Sequence, residues 1–249
     1  MRVAIWSLVT GTLVIGFAFM IIRHFAKVGM SQTGKTIHVV LIGASIGQSW
    51  HLAEWPARVK ASDFSAESVP AWQFDKSAAL EEVLMRPARK FHPTRTYLRS
   101  LFQASPRKPN IVILKECSSY FPGDLSLYQR SIEDWVGRLQ AKHIKVILAT
   151  VVPVTRSRAG KSPGKQETLL KYNEWIREFA AQHDLKVLDL EAALRGDDSS
   201  RYLREEFAAT DGSHLNSAAY AVLDGTLRGL LSETNTFITR DSHTSTVAN

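Results

Sequence analysis

Three residues of this chain are of the types that serine-based acyl chemistry requires: Ser45, Asp211 and His214. A serine hydroxyl is a weak nucleophile until a neutral imidazole takes its proton, and a carboxylate must hold that imidazole in the right tautomer. Asp211-Gly212-Ser213-His214 sets an acid and a base three residues apart, so a single turn can bring both to one edge. The carboxylate then reaches Nδ1 and leaves Nε2 for a hydroxyl. Ser45 lies far upstream in Gly43-Ala44-Ser45, directly after an apolar run. Each part alone has a plainer reading. Gly-x-Ser after a strand is an ordinary turn, and Asp211 or Ser213 can cap the helix that follows. Together they point to nucleophilic catalysis.

The elements that must position these groups are legible as alternating patterns. Near-continuous apolar runs at 37–43, 110–114, 145–154 and 185–190, with a weaker one at 69–74, predict strands covered on both faces. Between them, 46–60, 77–85, 127–141, 168–183 and 216–231 carry apolar residues at helical spacing. Alternation of strand and helix predicts right-handed crossovers, a parallel sheet and an α/β, three-layer αβα sandwich. Ser45 then falls at the carboxyl edge of the first strand, where such sheets keep their ligand crevices. The polar stretch 156–166, RSRAGKSPGKQ, reads as a surface loop after a strand, with the rim of the site as its functional alternative.

With these residues placed, the chain resembles the SGNH (GDSL-type) hydrolases over roughly 36–231. Gly43-Ala44-Ser45 matches the family's first block, although the usual Gly-Asp-Ser reads Gly-Ala-Ser, and Asp211-Gly-Ser-His214-Leu-Asn matches its last. The resemblance implies a flavodoxin-like fold, Ser45 as nucleophile and His214 and Asp211 completing the triad. It also implies an oxyanion hole built from the serine N–H, a glycine after the second strand and an asparagine after the third. Here the chain departs: Asp75-Lys76-Ser77 holds no glycine, and Lys115 to Tyr120 holds no Gly-x-Asn-Asp. Ser77, Glu116, Ser118 and Ser119 are the candidates to complete the hole or touch substrate. The expected substrate is an acyl ester of a carbohydrate or lipid. Acyl transfer to a sugar hydroxyl and a non-catalytic SGNH-fold module stay open beside hydrolysis.

The first residues read differently. Val3 to Ile22 carries no charge, and 20 helical residues cover roughly 30 Å, the thickness of a bilayer core. The reading is a single-pass signal anchor over 1–30 with an extracytoplasmic catalytic domain, against a weak opposite lean from Arg23, Lys27 and Lys35. The globular domain is expected at 36–232 and a disordered polar tail at 233–249. The single cysteine, Cys117, excludes an intramolecular disulfide and reads as structural rather than nucleophilic. The net charge of +7 is spread along the chain without a nucleic-acid-binding motif. No histidine or cysteine spacing suggests a metal, and no cofactor is expected. Trp50, Trp55 and Trp72 are read as core, with a substrate-stacking wall as the alternative.

Overall fold

The structure, a computed structural model, describes residues 36–71, 76–87, 107–115, 125–161, 164–196, 199 and 201–244. It contains five parallel strands, β1 (Ile37–Gly43), β2 (Phe64–Pro70), β3 (Ile111–Lys115), β4 (Lys145–Ala149) and β5 (Lys186–Leu188). Their order is β2-β1-β3-β4-β5, the flavodoxin-like arrangement, in which the direction of crossing reverses beside β1.

The described helices are α1 (Ser45–Ser49), α2 (Trp55–Arg58), α3 (Lys76–Leu84), α4 (Leu125–Ala141), α5 (Arg156–Gly160), α6 (Lys165–Gln182), α7 (Leu190–Leu194) and α8 (Ser217–Thr244). Strand alternation divides the core in two. Val39, Leu41, Ile111, Ile113 and Ile147 face one way, against Trp50, Trp55, Leu194 and the α8 residues Leu223 and Leu227. Val40, Ile42, Val112, Leu114 and Leu148 face the other way, against Leu80, Ile132, Val136, Tyr172 and Ile176. Two apolar faces on each central strand require helices on both sides. The result is the expected three-layer α/β sandwich.

Several boundaries differ from the expected ones. β2 covers 64–70 rather than 69–74, because on this edge strand Ser65 and Glu67 hydrogen-bond the His38 ring and break the apolar run. The expected helix at 46–60 is three short pieces, separated by His51 with φ of 49° and ended by Lys60 with φ of 55°. Segment 156–160 is helical, capped by the Thr155 side chain, which accepts from the Arg158 N–H. Of the tail expected at 233–249, residues 233–244 continue α8, and 245–249 lie outside the described residues. Helix propagation needs one new hydrogen bond per residue once a packed helix has nucleated it, so a polar continuation can stay helical.

The membrane placement is corrected. Among the described residues no helix is long and apolar enough to cross a membrane. The long helices carry charges along their lengths, Glu174 and Arg177 in α6 and Asp224 and Arg228 in α8 among them. The single-pass location, the membrane partner and the sidedness argued from them fall with that finding, and residues 3–22 lie outside the described residues.

Candidate active site

β1 ends in Gly43, and the chain turns at once into α1, whose first residue is Ser45. The turn sits tightly on the sheet. A Cβ at Gly43 would lie 2.9 Å from Leu41 Cδ2 and 3.3 Å from Lys115 Cβ, and one at Gly47 would lie 2.6 Å from Leu41 Cδ2. Only glycine lets the backbone approach so closely. The Gly47 and Ile46 carbonyls accept from Ser68 Oγ at 2.8 Å and Tyr220 Oη at 3.2 Å. The hydroxyl is thus presented from a fixed frame.

The second half of the site is the loop ahead of α8. An antiparallel bridge between Ala208 and Leu215 closes it, the Ala209 N–H donates to the His214 carbonyl at 2.8 Å, and Asn216 caps α8 by accepting from the Ala219 N–H. The tip turns at Gly212 with φ of 70°, in the left-handed region that favours glycine. Asp211 is folded back on its own loop. Its Oδ1 accepts from the Ser213 N–H at 3.0 Å and the His214 N–H at 2.9 Å, and its Oδ2 accepts from Ser213 Oγ at 3.0 Å.

The two halves meet in one hydrogen-bonded series. His214 Nδ1 lies 2.5 Å from Asp211 Oδ2, and His214 Nε2 lies 3.0 Å from Ser45 Oγ, across 169 residues of sequence. Both the His214 and the Asp211 side chains are close to half exposed. Foremost, the His214 N–H holds the Asp211 carboxyl well below the usual carboxylate range; the Ser213 N–H and the two side chains add to this, against a smaller opposing effect of burial. The carboxylate therefore stays charged throughout the neutral range.

That depression has a consequence for stability. A carboxyl whose folded value is lowered contributes stability above its ordinary value of 3.8, and loses it as pH falls towards the folded value. Asp211→Asn is expected to be less stable than the parent at pH 7, with the gap narrowing as pH falls below 3.8 and still partly open at about pH 3. Urea midpoints of both proteins at each pH check this, and a constant gap would contradict it.

Of the other expected site residues, Ser77 is exposed in the first turn of α3. Glu116, Ser118 and Ser119 lie outside the described residues, as do Cys117 and Trp72. Trp50 and Trp55 are core residues, 1% and 0% exposed, as the packing reading expected. Segment 156–161 does approach the site: a polar cavity of about 250 Å³ lies between Ser157, Arg158 and Lys161 on one side and Glu205, Thr210 and Asp211 on the other. No sequence pattern pointed to this cavity, since its walls come from three separate stretches. Among the described residues no group of histidine, cysteine and carboxylate side chains is arranged to hold a metal.

A hydroxyl, an imidazole and a carboxylate in series at the carboxyl edge of a parallel α/β sheet have the form of a serine-hydrolase site. The comparisons make the assignment particular. The chain belongs to the GDSL-like lipase/acylhydrolase family, whose model matches residues 93–222, and it is an esterase of the acylhydrolase kind. The matched span takes in Asp211 and His214 and stops short of Ser45, whose place in the site rests on the geometry above. Solved structures with the same fold include a GDSL-like lipase from Bacteroides thetaiotaomicron, with a TM-score of 0.59 at 14% identity over 85% of this chain and 97% of that one. A lipase/acylhydrolase from Enterococcus faecalis gives 0.52 at 18% identity over 77% and 93%. A member of the lipolytic G-D-S-L family from Veillonella parvula gives 0.52 at 12% identity over 79% and 98%. A search of curated proteins by sequence gave no match.

Proposed function

We propose that the protein hydrolyses a short acyl ester through an acyl-enzyme formed on Ser45. The observation that carries this reading is the continuous series Ser45 Oγ, His214 Nε2, His214 Nδ1 and Asp211 Oδ2, at 3.0 and 2.5 Å. Ser45 Oγ attacks the ester carbonyl carbon as His214 Nε2 takes the hydroxyl proton. The tetrahedral intermediate collapses, and the alkoxide leaves with the proton that His214 returns. Water, deprotonated by the same imidazole, then attacks the acyl-enzyme and releases the acid and free Ser45. Asp211 keeps Nδ1 protonated and stabilises the transient imidazolium. The Ser45 N–H, in the first turn of α1 where N–H groups have no intrahelical acceptor, is one donor for the oxyanion.

The polar cavity beside Asp211 supports a substrate with a hydroxylated portion, such as a sugar, near the site. Its described walls carry Ser157, Arg158, Lys161, Glu205 and Thr210 and no large apolar side chain. The open setting of His214 and Asp211 favours water as the acyl acceptor over a sequestered sugar hydroxyl. Fluorophosphonate labelling tests the reading: one equivalent is expected on Ser45, absent in Ser45→Ala and strongly reduced in His214→Ala. Labelling that persists in Ser45→Ala, or none in the parent, would leave the fold without this chemistry.

A further inference from the structure

The loop that follows β4 runs against the turn that carries Asp211, and nothing in the acyl-enzyme mechanism uses it. Thr150, Val151, Val152, Val154 and Thr155 are all buried, Thr150 and Thr155 completely. The loop is fastened at its start. Asn173 of α6, itself fully buried, accepts from the Val151 N–H at 2.7 Å and donates Nδ2 to the Val151 carbonyl at 2.8 Å and to Glu191 at 2.9 Å. Glu191 is fully buried and held by Arg177 and Arg201. Further along, the Leu203 N–H donates to the Val154 carbonyl at 3.0 Å. A strut so anchored has few ways to move.

At its far end the Thr155 N–H donates to the Gly212 carbonyl at 2.9 Å. That carbonyl belongs to the same planar peptide as the Ser213 N–H, and the Ser213 N–H donates to Asp211 Oδ1 at 3.0 Å. Holding one end of a rigid peptide fixes the direction of the other. The Thr155 side chain adds a steric limit: Oγ1, fixed by the Arg158 N–H at 3.3 Å and Ser157 Oγ at 3.1 Å, stands 2.6 Å from where any Cβ on residue 212 would lie. We infer that Thr155 is a positioning residue, which aims the Asp211 carboxylate at His214 Nδ1 by pinning the Gly212–Ser213 peptide. The inference rests on the triad reading given above and assigns to it a residue outside the triad.

The Thr155 backbone has φ of −64°, which proline adopts, so Thr155→Pro removes the N–H while leaving φ unstrained. Turnover of a chromogenic acetyl ester by this variant is expected to fall roughly 10²-fold in kcat with KM little changed, as a misplaced catalytic group does. Thr155→Ser, which keeps both N–H and hydroxyl, should recover kcat. A folded Thr155→Pro protein with unchanged kcat overturns the inference, as does one whose loss lies in KM alone.

If Thr155→Pro does not fold, the side-chain contact decides. Gly212→Ala should lose most activity, and Gly212→Ala combined with Thr155→Ala should regain part of it, since removing Oγ1 relieves the 2.6 Å contact while the φ of 70° and Arg158 Cβ at 3.1 Å still oppose a side chain there. A double variant no better than Gly212→Ala alone overturns the inference. His214→Ala separates the two levels. If it retains full turnover, the triad reading fails and the inference with it; if it is inactive while Thr155→Pro matches the parent, the positioning role alone fails.

Discussion

Replacing His214 with alanine is expected to lower kcat on a chromogenic acetyl ester by a factor on the order of 10⁴–10⁶, the range seen when a triad base is removed. The imidazole is the group that connects the other two, with Ser45 Oγ at 3.0 Å on one nitrogen and Asp211 Oδ2 at 2.5 Å on the other. Without it the hydroxyl keeps its proton and the carboxylate has nothing to orient. Ser45→Ala should cost about as much, and the double variant hardly more than either, because residues that act as a unit are grossly non-additive. Steady-state kinetics on the three proteins provide the check. If the double variant multiplied the two single losses, Ser45 and His214 would be acting independently, and the proposed mechanism would not stand.

A second large effect concerns the clamp that brings the two halves of the site together. Asp224 of α8 is mostly buried and accepts from Trp50 Nε1 at 2.7 Å and from Arg58 Nε and Nη2 at 2.7 and 2.9 Å, while its carbonyl accepts from Trp55 Nε1 at 3.2 Å. Arg58 also donates to the Trp50 and His51 carbonyls. One carboxylate therefore ties the segment after Ser45 to the helix after His214. Removing it strands the buried Trp50 N–H, at about 1–3 kcal/mol. It also dissolves a forked ion pair, which adds about 1 kcal/mol because Arg58 keeps access to water. Asp224→Ala is therefore expected to destabilise by about 3 kcal/mol, which for a domain of this size lowers Tm by roughly 6–12 °C. Asp224→Asn, which keeps an acceptor for Trp50, should lose less. Calorimetry settles it: a melting shift under about 2 °C in Asp224→Ala would mean that the clamp carries little of the stability.

The central part of this architecture was legible because buried parallel strands announce themselves. Ile37–Gly43 is apolar at every position but His38 and buried at every position, and the sequence boundaries agree with the structural ones. The edge strand β2 was misplaced for the opposite reason: two of its seven side chains, Ser65 and Glu67, answer to His38 and Arg86 rather than to the core. The meeting of Ser45 with His214 could be anticipated from types and turn positions. The capping role that the plainer reading offered Asp211 falls instead to Asn216, which accepts from the Ala219 N–H at the start of α8, while the Asp211 carboxylate accepts from the loop N–H groups of Ser213 and His214 as it faces the imidazole. Thr155 gave no such signal. Its importance comes from a main-chain donor and from proximity to a glycine 57 residues away in sequence, neither of which leaves a trace in residue type. The Asp224 clamp was invisible likewise, because an acid inside an amphipathic helix normally faces water.

The hydroxyl of the site stands near the start of the domain and the imidazole near its end. On the ribosome, Ser45 emerges long before His214, so a nascent polypeptide ending anywhere up to α7 presents a serine with no base to activate it. On the proposed mechanism, hydrolytic competence therefore waits until the loop ahead of α8 reaches the turn after β1. Bond-breaking power is in this way withheld from every unfinished copy of the enzyme.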